Sequence, residues 1–274
     1  MIRLNEQEFQ DIAGFIRQKY GINLDKKKVL IECRMSRELE GKGIRSFSEY
    51  LELLKKDTTG SIADEMVNSL TTNYTYFMRE PKHFEFLNSR IFPELFERYK
   101  SNLCSIWCAG CSTGEECYTL AMLLWDYRER SSIPLNFWIT ASDISKKVLE
   151  KAEQGIYPIR ELEEVPPVWR SKYCHIQPDG KQFCVDESLK RIIRFRYQNL
   201  LEVPPGSEKY DLILCRNVMI YFDRESKRQL IRMLEDSLNP GGYLLIGHAE
   251  LLTGEETRLE SVYPAVYRMP RRNK

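Results

Sequence analysis

The residues best placed to do chemistry are the turn Ala109-Gly110-Cys111-Ser112-Thr113-Gly114 and, further along, Asp143. The turn follows a short apolar run, Cys104 to Ala109, and opens an amphipathic stretch, Glu115 to Tyr127. Gly110 and Gly114 let the backbone turn sharply and approach a ligand closely, and the start of the next helix offers free N–H groups. Asp143 ends a second apolar run that begins at Asn136. An acid at that place accepts hydrogen bonds from ribose hydroxyls. Loop and acid in this order predict a nucleoside site. The alternative for Asp143 is a cap on the helix that follows. A dinucleotide fingerprint needs three glycines, G-x-G-x-x-G, for close approach to a diphosphate. Only two are present, which favours a cofactor without phosphates.

Eight cysteines raise the question of a metal. Four of them, Cys104, Cys108, Cys111 and Cys117, crowd together, and Cys108-x-x-Cys111 is a ligand-type pair. Structural zinc needs a second such pair at a suitable distance. None follows, so the thiols read as small buried side chains and no metal is expected. His83, His175 and His248 form no base–nucleophile set with a serine or cysteine.

These residues need a scaffold, and the pattern along the chain supplies one. Asn5 with Glu8 forms a capping box, and Phe9, Ile12, Ala13 and Ile16 follow at helical spacing to Gly21. Further helices are expected over about 25–40, from Ser46, and over Ile62–Leu70, so residues 1–70 form a small all-α domain. Residues 71–80 fit neither period and read as a linker. Pro81 suits the first turn of a helix running toward Leu95. From 103 onward strands alternate with helices: Cys104–Ala109, Asn136–Ser142, Tyr210–Cys215 and Tyr243–Gly247 are apolar runs, with Ser145 and Asp223 as helix caps. Alternation means a parallel sheet covered on both faces, an α/β doubly wound, Rossmann-like domain over 81–274. Residues 156–195 break the rhythm with prolines and a Pro178-Asp179-Gly180 turn, and predict a small antiparallel β insertion.

With 274 residues and 42% hydrophobic residues, the chain is long enough for two unequal domains with real cores. The net charge of +1 shows no global basic excess for nucleic acid. No run approaches a membrane span and the N-terminus is not a signal peptide, so a cytoplasmic protein with reduced thiols is expected.

Four segments resemble the CheR family of chemotaxis receptor methyltransferases. They are Leu70-Thr-Thr-Asn-Tyr-Thr-Tyr-Phe-Met-Arg-Glu80, Ser112-Thr-Gly-Glu-Glu116, Ala141-Ser-Asp-Ile144 and Cys215-Arg-Asn-Val-Met-Ile-Tyr-Phe222. Cys117 departs from the family pattern, where proline is expected. The resemblance implies S-adenosylmethionine as cofactor and glutamate carboxylates of membrane chemoreceptors as substrate. Besides Gly110, Gly114 and Asp143, it implies cofactor contacts at Asn73, Thr75, Arg79, Glu116, Asn199, Leu200, Arg216 and Asn217. It sets Arg79 and Tyr221 beside the methyl group and the incoming carboxylate. For Arg79 the alternative is an ion pair with Glu116, and for Tyr221 an aromatic plug at a strand end.

A glutamate has an ordinary pKa of about 4.3 and is ionised at neutral pH, so esterification needs no general base. Alignment and exclusion of water supply the rate. Lys27, Arg34 and Arg37 fall near one helical face and form a candidate docking surface for an acidic receptor bundle, or a solvated face. Some family members hold a receptor's C-terminal peptide on the β insertion. Two other classes remain. A nucleic-acid methyltransferase would carry a Pro-Pro pair where Arg216-Asn217-Val218-Met219 stands. A non-catalytic cofactor-sensing or scaffolding module would lack Arg79, Asp143 or Tyr221.

Overall fold

A computed structural model describes residues 2–98, 103–131, 136–202 and 208–271. Four helices come first: α1 (Glu6–Tyr20), α2 (Lys28–Gly41), α3 (Phe47–Lys56) and α4 (Ser61–Leu70). The box that starts α1 is reciprocal. Asn5 Oδ1 accepts from Glu8 N–H and Glu8 Oε2 accepts from Asn5 N–H, each at 2.9 Å. Gly21 closes the helix in the left-handed region. Ile12, Ile16, Ile31, Phe47 and Met66 fill a core of their own.

Residues 71–80 hold no regular element and lead to α5 (Pro81–Phe86) and α6 (Phe92–Arg98). A single helix was expected here. A π turn at Leu87–Ile91 separates the two, with Phe92 N–H donating to the Leu87 carbonyl. Pro93 explains it: proline has no N–H for Ser89, and its ring crowds that carbonyl, so the coil widens.

The sheet begins with β1 (Leu103–Ala109), α7 (Glu115–Ser131), β2 (Asn136–Asp143) and α8 (Lys146–Gln154). Then come β3 (Ile156–Pro158), α9 (Pro167–Tyr173), β4 (Cys174–Ile176), β5 (Gln182–Val185), α10 (Glu187–Lys190) and β6 (Ile193–Tyr197). The chain closes with β7 (Tyr210–Cys215), α11 (Arg224–Asp236), β8 (Leu238–Ile246), β9 (Glu260–Tyr263) and β10 (Val266–Arg268). Strand order is β6-β2-β1-β7-β8-β10-β9; the first five are parallel, and β10 and β9 are antiparallel. Alternate residues serve opposite faces. Ile106, Leu212 and Leu245 pack toward α5–α7, while Trp107, Ile213 and Leu244 meet Leu230, Ile231 and Leu234 of α11. Each fully buried side chain of this size contributes roughly 1.5–3 kcal/mol of apolar transfer.

The insertion is a three-stranded antiparallel sheet, order β3-β5-β4. Two of its expected features shift. Residues 193–195 belong to β6, the edge strand of the large sheet. The insertion also carries helical turns over Ile159–Glu164 and in α9. Asn239-Pro-Gly-Gly242 forms a bulge within β8. Tyr210 pairs with Leu238 and Leu212 already with Tyr243. Among the described residues, no helix is long and apolar enough to cross a membrane.

Candidate functional site

The chain runs outward from β1 through β2 to β6 and then crosses back to β7 on the other side of β1, so the strand order reverses between β1 and β7. Open α/β sheets bind ligands outside the carboxyl ends of strands at such a point. A cleft of about 420 Å³ lies there, in the size range of small-molecule sites. Of the residues expected to touch a cofactor, Asn73, Thr75, Arg79, Gly110, Glu116, Asp143, Asn199, Leu200, Arg216 and Asn217 line it; Gly114 does not. Lys27 and Tyr221 line it too.

The loop after β1 is rigid and internally bonded. Gly110 and Cys111 N–H both donate to the Ser142 carbonyl, at 2.8 and 2.9 Å, and Gly114 N–H donates to Cys111 O. Ser112 N–H donates to Asp143 Oδ2 at 2.8 Å. These four loop N–H groups are therefore engaged by the protein itself. Gly110 has φ +83°, and a Cβ there would come within 2.5 Å of Val218 Cγ2. Gly114 has φ +94° and faces Ala152 and Tyr157. It stands where the start of α7 meets Ala152 of α8, outside the cleft lining.

Asp143 is buried. Desolvation raises its pKa, against hydrogen bonds from backbone N–H groups at Ser145, Ser112 and Ile144. The helix-cap alternative falls away, because Ser145 caps α8 by accepting from Val148 N–H. Among the described residues Asp143 has no cation partner. Its carboxylate retains acceptor capacity beyond the Ser112 and Ser145 bonds, which suits two ribose hydroxyls.

Arg216 supplies the opposite wall. Its buried guanidinium joins Glu116 Oε2 and Glu80 Oε2, each at 3.0 Å, and donates to the Arg79 carbonyl. Burial pushes Glu80 up, but Arg216 outweighs it and the net shift is downward. For Glu116, burial prevails over Arg216 and the pKa rises. The Arg79–Glu116 pair considered from sequence is thus replaced by Arg216–Glu116. Arg79 instead donates to Tyr74 O at 2.8 Å and lies about 6 Å from the Tyr74 and Tyr76 rings. Asn217 adopts φ +60° and is fixed by two acids, Glu250 at its N–H and Glu80 at its Nδ2. Glu250 also accepts from Met219, Ile220 and Gly247 N–H, which shapes the turn carrying Tyr221. Met78, Glu80, Ser112 and Asn217 are four of the five non-glycine residues with positive φ among the described residues. Such strain clusters where the surroundings fix geometry for function.

The helical domain forms part of the cleft, which sequence reasoning missed. Tyr20, Ile22, Asn23, Leu24 and Leu30 line it. Ile22 forms an antiparallel bridge with Phe222, and Asn23 N–H donates to Tyr221 O at 2.8 Å. Tyr221 is 38% exposed, so its ring is not a plug. Asn199 lines the cleft, but its amide donates to Lys19 O on α1. Ser112 Oγ donates to Asn73 O, tying linker to loop.

The docking trio does not act as one face. Arg34 Nη1 donates to the Leu70 and Thr71 carbonyls at 3.1 and 3.0 Å, and Arg34 Nη2 donates to Thr72 Oγ1. It clasps the end of α4 and the linker, and is no free docking cation. Lys27 sits before α2 at the cleft, and Arg37 is exposed elsewhere on that helix. Glu80, Glu250 and His83 were also missed. Glu80 ends one of the four family-like segments, whereas Glu250 and His83 show only charge or polarity beside buried apolar segments.

All eight cysteines are free. Burial pushes Cys111 up to about 11 and Cys117 well up, so both stay thiols.

Residues 73–267 match the family model described as the CheR methyltransferase SAM binding domain, and residues 7–71 match the CheR methyltransferase all-alpha domain. A chemotaxis protein methyltransferase of Borreliella burgdorferi is 42% identical over 272 residues, covering 97% of this chain and 95% of that protein. One from Escherichia coli is 35% identical, covering 97% and 92%. A probable one from Rhizobium etli is 36% identical, covering 86% and 89%.

Proposed function

The chain belongs to the CheR methyltransferase family, and from that premise we propose that it methylates glutamate side chains of chemoreceptors. The observation that carries the nucleoside half of this reading is the bonded loop beside a buried Asp143 that pairs with no cation among the described residues. When bound, S-adenosylmethionine supplies a sulfonium methyl: a glutamate oxygen forms the C–O bond as the C–S bond breaks, the electron pair passes to sulfur, and a neutral ester and thioether result. Asp143 holds the ribose. Asn73 and Thr75 from the linker, with Tyr20 and Leu24 from the helices, close the cleft against water. Arg79, already oriented by Tyr74, steers the incoming carboxylate through a charge-assisted fork. Tyr221 stands at the rim beside it. Charge cancels along the reaction, so a site that excludes water favours it. Lys27 and Arg37 are the cations left to meet an acidic receptor surface, and the β3-β5-β4 sheet is the place for a receptor's C-terminal peptide.

The test uses methyl-labelled cofactor, receptor-containing membranes and then alkali. A glutamyl ester releases labelled methanol, whereas N-methyl groups stay. Label on the receptor that resists alkali, or no label at all, overturns the proposal.

A further inference from the structure

We propose that Glu80, His83 and His248 form a binding site for a divalent transition-metal ion of the zinc class, beside the Arg216 wall of the cleft. The three residues offer ligand atoms that all lie within 4.8 Å of one another. Glu80-Pro-Lys-His83 spans the first turn of α5. Glu80 is the left-handed N-cap of α5, and from that position its carboxylate reaches the His83 ring. Glu80 Oε2 and His83 Nδ1 are 3.3 Å apart. Tetrahedral zinc, with N and O ligands at about 2.0–2.1 Å, has ligand–ligand edges of about 3.3–3.4 Å. The His248 ring meets the His83 ring edge-on, with centroids 4.5 Å apart, and is exposed enough to turn toward it.

An independent observation points to a ligand. His83 is fully buried, yet neither ring nitrogen makes a well-aligned hydrogen bond: Nδ1 stands 3.3 Å from Glu80 Oε2, and the Pro264 carbonyl is the other acceptor near the ring. A buried polar atom without a good hydrogen bond is unfavourable. A metal ion on one nitrogen removes that cost. The Pro264 carbonyl faces the ring and is suited to orient the other, as backbone carbonyls do for metal-bound imidazoles. The local charge also tolerates a cation, since Arg216 is flanked by two carboxylates, Glu80 and Glu116. Three protein ligands leave one position for water. The metal draws on Glu80 Oε2, the oxygen that Arg216 also holds, so occupancy loosens one anchor of the cleft wall.

The test is Co²⁺ titration of the full chain, followed by visible absorption and equilibrium dialysis. Cys33→Ser removes the exposed thiol as a competing ligand. One Co²⁺ per chain is expected. His248→Ala should weaken binding by at least about tenfold. His248→Cys should retain it and add a thiolate absorption band. Because His248 is exposed, these variants test the site without emptying the core. No bound Co²⁺, or binding unchanged by His248→Ala, overturns the proposal.

Discussion

Glu115 begins α7 and is only 4% exposed. Thr113 Oγ1 lies 2.8 and 2.7 Å from its two oxygens, and among the described residues no cation pairs with it. Burial pushes its carboxyl up to about 7 from an ordinary 4.5, with Glu161 adding to the rise. Between those values the folded chain keeps a proton that the unfolded chain has released. Stability therefore falls as pH rises from about 4.5 to 7, and the loss is complete above that. At about 1.36 kcal/mol per pH unit, it amounts to about 3 kcal/mol. Glu115→Gln keeps an acceptor for Thr113 and carries no charge to desolvate. The variant should exceed the parent by about 3 kcal/mol at pH 8 and by less than about 1 kcal/mol at pH 4.5. Urea unfolding followed by tryptophan fluorescence measures this, since Trp107, Trp125, Trp138 and Trp169 all lie beyond the helical domain. An equal effect at both pH values, or a less stable variant at pH 8, refutes the reasoning.

Asp143→Asn should fold normally and weaken S-adenosylmethionine binding by at least about tenfold, read by calorimetry, because a charge-assisted acceptor of about 1.5–3 kcal/mol is lost. Arg216→Ala leaves Glu80 and Glu116 facing each other without a cation; a loss of about 3–5 kcal/mol in chemical unfolding is expected, and Glu116→Gln in the same chain should recover part of it. Arg37→Glu should slow methylation at limiting receptor while cofactor affinity stays unchanged; equal turnover would remove the docking role.

The elements legible in the sequence are those whose signals are local. Asn5, Ser46, Ser145 and Asp223 each accept the N–H that their position calls for. The apolar runs of β7, of β1 from Ile106 and of β2 from Ile139 are buried on both faces and read without ambiguity. β9 and β10 were not legible, because short antiparallel edge strands carry little periodicity. The site divides in the same way. The turn at 110–114 and Asp143 are visible because chain order alone places them. Arg216 with Glu116 and Glu80, or Arg34 on the end of α4, are partnerships between distant segments, and no spacing announces them. Arg34 shows the hazard: helical spacing sets it with Lys27 and Arg37, whereas unsatisfied carbonyls at Leu70 and Thr71 claim it.

The bridge between Ile22 and Phe222 also sets a timetable. The helical core is complete once residue 70 has emerged from the ribosome, but Phe222 arrives about 150 residues later. At about 5–20 residues per second, that is an interval of roughly 8–30 seconds. Throughout it the Gly21–Ile22 turn lacks the Leu201 and Phe222 side chains that cover it in the folded chain. A nascent chain thus passes through a stage with one finished core and a sticky, half-built wall, and holdase binding or premature self-association should concentrate there.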